Sequence, residues 1–312
     1  MRNGKVVLIG TGYVGMSFAY ASLNQGAFES LVLVDLNKDK AVGEALDLNH
    51  GLAFAPSSME IYAGDYSDCH DAEIVVITAG VSQKPGETRQ DLLLRNASVM
   101  RAITKEVVNS GFNGIFLIAT NPVDVLSHVV WLESGFDHRK VIGSGTTLDS
   151  ARLRYEVGRY LNLDPRNVHA YIMGEHGDSE FVCWSLANVA TKPIYDVIKD
   201  QKLSFKDLDK IYHDVKNAAY EIIARKDATY YGIGMSLVRV VKAIVNNENS
   251  ILPISTHIDG EYDGVNDIYI GVPALVNKFG VDRVMKLDIS KGELKQLQDS
   301  AEILRKNLDL VL

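Results

Sequence analysis

Short apolar runs without internal polar breaks alternate, through the first half of the chain, with stretches whose apolar residues recur at helical spacing. Residues 5–9 (KVVLI), 31–34, 59–63, 73–78 and 114–119 are such runs, and 141–143 reads as a shorter sixth. Unbroken apolarity over about four to eight residues fits a strand covered on both faces. Between the runs, Phe18, Ala19 and Leu23 mark one helix face, and Leu92, Val99, Ile103 and Val107 mark another. Strands alternating with helices imply an α/β, Rossmann-type, doubly wound parallel sheet with right-handed crossovers. Ligands of such sheets bind beyond the carboxyl ends of the strands.

The alternation stops near residue 145. We therefore expect one domain over 1–144 and a second, α+β domain over 145–312. Leu208, Ile211, Val215, Ala218 and Ile222 form one helix face there, with Ser204 and Asp207 spaced as a capping box. Ser290 and Glu293 are spaced in the same way before a last helix with the seam Leu294, Leu297, Ala301, Leu304, Leu308 and Val311. Residues 251–258 and 267–272 alternate as a hairpin or edge strands would. Residues 229–233 open another long helix, placing Thr229 and Ile233 on a pocket wall.

Composition narrows the possibilities. A chain of 312 residues, 46% hydrophobic and 23% charged, suits two globular domains with sizeable cores. Its net charge of -8 argues against nucleic acid or an anionic membrane surface as partner and leaves small ligands. No apolar run is long enough to span a bilayer. Cys69 and Cys183 fit no metal spacing and no disulfide framework, so no metal site and a reducing cytoplasm are expected.

The candidate chemistry sits at strand ends. Gly10-Thr11-Gly12-Tyr13-Val14-Gly15 follows the first strand and opens a helix. There Gly10 permits the tight turn, Gly12 admits a pyrophosphate, and Gly15 lets the helix pack closely, with the phosphates at the helix N-terminus. Asp35 ends the second strand, where a carboxylate binds the ribose hydroxyls and repels a 2'-phosphate, favouring NAD over NADP. Lys38 and Lys40 nearby leave some tolerance of NADP. The loop 79–89, with its Gly and Pro hinges, can swing over a site and carry Arg89 with it. In Thr120-Asn121-Pro122, Pro122 suits the first position of a helix, while Asn121 either caps that helix or faces the cleft. Asp149 and Arg152 share a helix face, whereas Arg154 points roughly 200° away from Arg152. An apolar, strand-like run from residue 167 delivers His176 into a turn between Gly174 and Gly177, and a histidine exchanges protons near neutrality.

Taken together, Gly10 to Gly15, Asp35, Gln83 to Arg89, Asn121, Asp149 with Arg152, the stretch GEHGD at 174–178 and Thr229 to Ile233 resemble the lactate/malate dehydrogenase family, in the same order from Lys5 to the last helix. The resemblance is closest to the bacterial L-lactate dehydrogenase branch. It implies reversible hydride transfer between NADH and pyruvate, at the fermentative end of glycolysis. His176 would be the proton donor, Asp149 its orienter, Arg152 the clamp on the substrate carboxylate, and Arg89 a group polarising the carbonyl. Asn121 and Thr229 would complete the substrate site, and Val14, Lys40, Asn121 and Ile233 would join the glycines and Asp35 around NAD.

Gln83 would select the substrate. The malate branch has an arginine there, and an amide leaves the second carboxylate of oxaloacetate unpaired, at a cost of several kcal/mol. Lys84 beside it slightly weakens that reading. The resemblance further implies a homotetramer in which Arg154 and His169 bind fructose 1,6-bisphosphate across an interface as an allosteric activator. The first strand follows the N-terminus almost at once, so an arm of the vertebrate kind is not expected. The rival readings are a malate dehydrogenase and a non-catalytic NAD(H) sensor, which would need no proton donor beside the nicotinamide.

Overall fold

A computed structural model describes residues 4–81, 86 and 88–312. Its order is β1 (Lys5–Ile9), α1 (Tyr13–Gln25), β2 (Ser30–Val34), α2 (Lys38–His50), β3 (Glu60–Ala63), β4 (Ile74–Ile77), α3 (Arg89–Asn109), β5 (Ile115–Ile118), α4 (Val123–Ser134) and β6 (Val141–Gly143). There follow α5 (Thr147–Leu161), β7 (Val168–His169), β8 (Ile172–Met173), β9 (Phe181–Val182), β10 (Asn188–Val189), β11 (Lys192–Pro193), α6 (Ile194–Asp200) and α7 (Lys206–Lys226). The chain ends with α8 (Tyr231–Val245), β12 (Ser250–Ile258), β13 (Ile268–Asn277), β14 (Gly280–Val284) and α9 (Lys291–Leu308).

The first six strands lie side by side in the order β3-β2-β1-β4-β5-β6, every neighbouring pair parallel. Their apolarity is continuous because both faces are covered. Val7 and Ile9 belong to a core shared with α3, α4 and α9, while Val6 and Leu8 belong to one shared with α1, α2 and α8. The order reverses between β1 and β4, so the turns after these two strands flank the crevice where a dinucleotide binds.

The predicted hairpin forms: β12 pairs antiparallel with β13 from Ser250–Val276 to Ile258–Ile268. It does not lie apart from the parallel sheet, because Ser255 pairs with Gly143 of β6 and makes one nine-stranded sheet. A smaller core around Leu153, Val157, Ile172, Ile194 and Leu208 holds α5, α6 and α7 together.

Several local expectations change. The buried face of α3 is Leu93, Ala97, Met100, Ile103 and Val107, with Leu92 and Val99 only half-buried beside it. Ser204 and Asp207 form no capping box: α7 begins at Lys206, and the Asp207 carboxylate accepts from the Tyr160 hydroxyl at 2.7 Å. That face is buried at Leu208, Ile211 and Val215 and only half-buried at Ala218 and Ile222. The box of Ser290 and Glu293 is present, and Glu293 also accepts from the Ser185 backbone at 3.0 Å. Pro122 is the N-cap of α4 rather than its first helical residue.

Candidate active site

The turn after β1 is built as the glycines require. Gly10 has φ +104°, a left-handed conformation that side chains avoid, and a Cβ there would lie 2.6 Å from the Ala79 backbone. A Cβ on Gly15 would lie 2.1 Å from the Gly10 carbonyl, so α1 can start here only without one. A Cβ on Gly12 would meet nothing within 4 Å, which leaves room at the N-terminus of α1 for a phosphate group. Val14 and Ile233 are half-buried against the same core.

Asp35 fixes the far side of this turn. Its Oδ2 accepts from the Thr11 backbone at 2.7 Å and hydroxyl at 2.8 Å, and its Oδ1 accepts from the Asn37 N–H at 2.9 Å. Burial works against its ionisation, but the donors from Thr11 and Asn37 and the charge of Lys40 hold its pKa below the usual carboxylate range. Lys40 donates to the Thr11 carbonyl at 2.5 Å. The residues present therefore fit a dinucleotide: an open glycine turn, a helix N-terminus and an ionised carboxylate at the second strand end.

The reactive cluster forms where three elements converge. His176 Nδ1 lies 2.6 Å from Asp149 Oδ2, and Arg152 donates to Asp149 Oδ1 at 3.0 Å. Asp149 is 2% exposed, so it is an ionised carboxylate stabilised by two cationic neighbours rather than by water. Burial alone would raise its pKa, yet His176 and Arg152 bring it below the ordinary value. Burial likewise opposes the charged imidazole, but the Asp149 charge and hydrogen bond, with Asp124 and Glu180 behind them, push His176 up to about 9. An imidazolium that persists through neutral pH is a ready proton donor at Nε2, the nitrogen that Asp149 does not occupy.

The predicted strand before His176 is broken. Residues 168–169 pair with Asn188 and Val189 of β10, residues 172–173 pair with β9, and the histidine follows in a loop. That loop is held from several sides. Asp124 on α4 accepts from the His176 N–H at 2.8 Å, and Ser300 on α9 accepts from the Glu175 N–H at 2.7 Å while bonding to the Ser179 hydroxyl at 2.9 Å.

Sequence reasoning missed these supports and one further carboxyl, Glu180. Asp124 is 1% exposed, and burial pushes its pKa up to about 6 against the donor of the His176 backbone and the charge of its ring. Asn96 on α3 was also missed. It accepts from the Val81 N–H at 2.9 Å and donates to the Asn121 carbonyl at 3.2 Å, linking the loops after β4 and β5. The available signals were polar residues within apolar runs: Asp124 between Val123 and Val125, and Glu180 before Phe181 and Val182.

The other expected residues are dispersed. Arg89 opens α3, but its side chain is 76% exposed and donates to Asp178 Oδ2 at 2.8 Å, at the rim of the cluster rather than within it. Arg152, at 14% exposure, is thus the guanidinium paired with Asp149. Asn121 is exposed on the loop after β5, and Thr229 is half-buried just before α8. Gln83 and Lys84 lie outside the described residues. Arg154 turns away from the cluster, donating to the Pro165 carbonyl at 3.3 Å on the segment leading to β7, where His169 is exposed.

Comparison with known proteins agrees with this geometry. The family model for the lactate/malate dehydrogenase NAD-binding domain matches residues 4–143, and that for the alpha/beta C-terminal domain of the same family matches 146–312. The chain is 52% identical to L-lactate dehydrogenase 2 of Bacillus cereus, with all of both chains covered. Among solved structures it is 62% identical to a lactate dehydrogenase from a Medee basin deep-sea metagenome library, with a TM-score of 0.98 over 100% of this chain and 99% of that one. It is 50% identical to the minor L-lactate dehydrogenase of Enterococcus mundtii. The TM-score is 0.98 against the ligands-bound form, over 100% and 99% of the two chains, and 0.91 against the unbound form, over 99% and 97%.

Proposed function

Because the chain belongs to the lactate/malate dehydrogenase family and is an NAD-dependent oxidoreductase, we propose that it is an L-lactate dehydrogenase interconverting pyruvate and L-lactate. The observation that carries this is the chain of His176, Asp149 and Arg152, which couples a proton donor to a carboxylate receptor through one shared, buried aspartate. When bound over the glycine turn, NADH supplies the hydride. The Arg152 guanidinium holds the pyruvate carboxylate by a two-pronged pair. His176 gives its Nε2 proton to the oxo oxygen as that oxygen gains charge, and takes it back in the oxidative direction. Asp149 keeps the imidazole in the donating tautomer throughout.

Arg89 acts after leaving Asp178, approaching the carbonyl as the loop 79–89 closes and water is excluded. Asn121 and Thr229 complete the substrate wall, and Gly10, Gly12, Gly15, Val14, Asp35, Lys40 and Ile233 surround the cofactor. Gln83 favours pyruvate by offering no charge to a second carboxylate. We take 1–144 as the NAD-binding domain and 145–312 as the catalytic and oligomerisation domain. The family models, which meet between 143 and 146, support this division, although α8 and β12–β14 pack back against the first unit.

We further propose a homotetramer activated by fructose 1,6-bisphosphate, a reading supported by the exposure of His169 on the segment whose Pro165 carbonyl Arg154 reaches. Two buried free thiols fit the reducing cytoplasm. Among the described residues no helix is long and apolar enough to cross a membrane. The test is steady-state turnover of NADH with pyruvate, with and without the bisphosphate. Activation that is absent from Arg154→Gln supports the regulatory site, and identical saturation curves with and without the bisphosphate remove it.

A further inference from the structure

Glu180 stands apart from the residues used above. It precedes β9, is 6% exposed, and brings a carboxylate oxygen within 4.8 Å of ligand atoms of both Asp149 and His176. Its backbone carbonyl accepts from the Tyr212 hydroxyl of α7. A carboxyl so largely removed from water and set beside the Asp149 carboxylate is costly to ionise.

The charges around it show what that neutrality achieves. Asp149 and Arg152 face it from α5, His176 from its own loop, and Lys216 and Tyr212 from α7, while Asp124 on α4 lies behind His176. Arg152, Lys216 and protonated His176 are three cations, and Asp149 and Asp124, the latter ionised above about 6, cancel two. A single positive charge remains for a substrate that carries one carboxylate.

We propose that Glu180 is a positioning residue that sets this charge: as a neutral acid it leaves the pocket able to hold an anionic 2-oxo acid, and its ionisation cancels the charge and weakens substrate binding. This rests on the 2-oxo acid reading of the site. Burial and the neighbouring Asp149 charge raise the Glu180 pKa to about 8, against the opposing pull of His176, Arg152 and Lys216. The acid is therefore neutral at and below neutral pH, and one proton leaves to solvent when it ionises. His176 loses its own proton only about one unit higher.

The test is the pH dependence of pyruvate KM in the wild type and Glu180→Gln. Between about pH 7 and about pH 9 the two titrations together raise KM roughly twentyfold in the wild type, whereas in the variant only His176 titrates, from a pKa lowered by loss of the Glu180 charge, and KM rises only a few-fold. A direct readout is the proton uptake of the NADH-loaded protein on binding oxamate, an anionic pyruvate analogue. Near pH 9 about 1.4 protons are expected for the wild type and less than about one for Glu180→Gln, in which only His176 titrates. Superimposable KM profiles, or an uptake of about 0.5 in the wild type itself, would overturn the proposal, the latter even if the variant failed to fold. Absence of both turnover and oxamate binding in the wild type would remove this inference together with the dehydrogenase reading. Turnover with superimposable profiles would remove this inference alone.

Discussion

Asp149→Asn separates charge from shape at the centre of the site. The amide keeps the volume of the carboxylate and an oxygen for the His176 Nδ1–H, but loses the charge that offsets burial of the imidazole. With Asp149 in place His176 stands at about 9 against an ordinary 6.5. At about 1.4 kcal/mol per pKa unit the imidazolium is favoured by about 3 kcal/mol. Without that charge burial dominates, and the pKa falls to 6.5 or lower. Above its inflection kcat/KM for pyruvate drops about tenfold per pH unit. The ratio of variant to wild-type kcat/KM should thus fall by about a hundredfold between about pH 6 and about pH 9, while NADH affinity stays unchanged. The assay is NADH consumption with pyruvate across that range, paired with NMR titration of the His176 ring. A variant whose inflection stayed near that of the wild type would refute the assignment of Asp149 as the group that holds the proton on His176.

Gly12→Ala should leave thermal stability unchanged, since its Cβ meets nothing within 4 Å, yet weaken NADH binding at least about tenfold by occupying phosphate space, as calorimetric titration would show. Ser300→Ala removes the fully buried acceptor of the Glu175 N–H and should destabilise the fold by about 1–3 kcal/mol in a denaturant titration, with kcat reduced and NADH affinity preserved. His128 is buried against Trp131 and Tyr269, and burial lowers its pKa to about 4. Its neutral form is the folded one. The stability it contributes is therefore complete above 6.5, the unfolded value, and lost as pH falls from 6.5 towards about 4, by up to about 3 kcal/mol. His128→Phe should flatten that part of the stability curve.

The fold was legible because its signals are local. Unbroken Val and Ile runs mark strands covered on both faces, and the glycine turn with Asp35 fixes which strands flank the crevice. Asp149 and Arg152 were legible as a pair because helical spacing alone puts them together. What stayed hidden depends on contacts between segments far apart in sequence. Asp124, Ser300 and Asn96 act by bonding to loops 52, 125 and 15 to 25 residues away, and no spacing rule reaches that far. The Ser204–Asp207 spacing misled because Asp207 is drawn to Tyr160 instead of its own helix end. For Arg89 the sequence offers a loop that can carry it inward but no sign of its partner, Asp178, which lies 89 residues away and holds it at the rim.

The most direct measurement is the ratio of kcat/KM for pyruvate to that for oxaloacetate, read from NADH absorbance with the purified chain. Arg152, His176 and a neutral Gln83 predict a ratio well above unity. A ratio below unity, or no NADH consumption with either acid, would contradict the assignment.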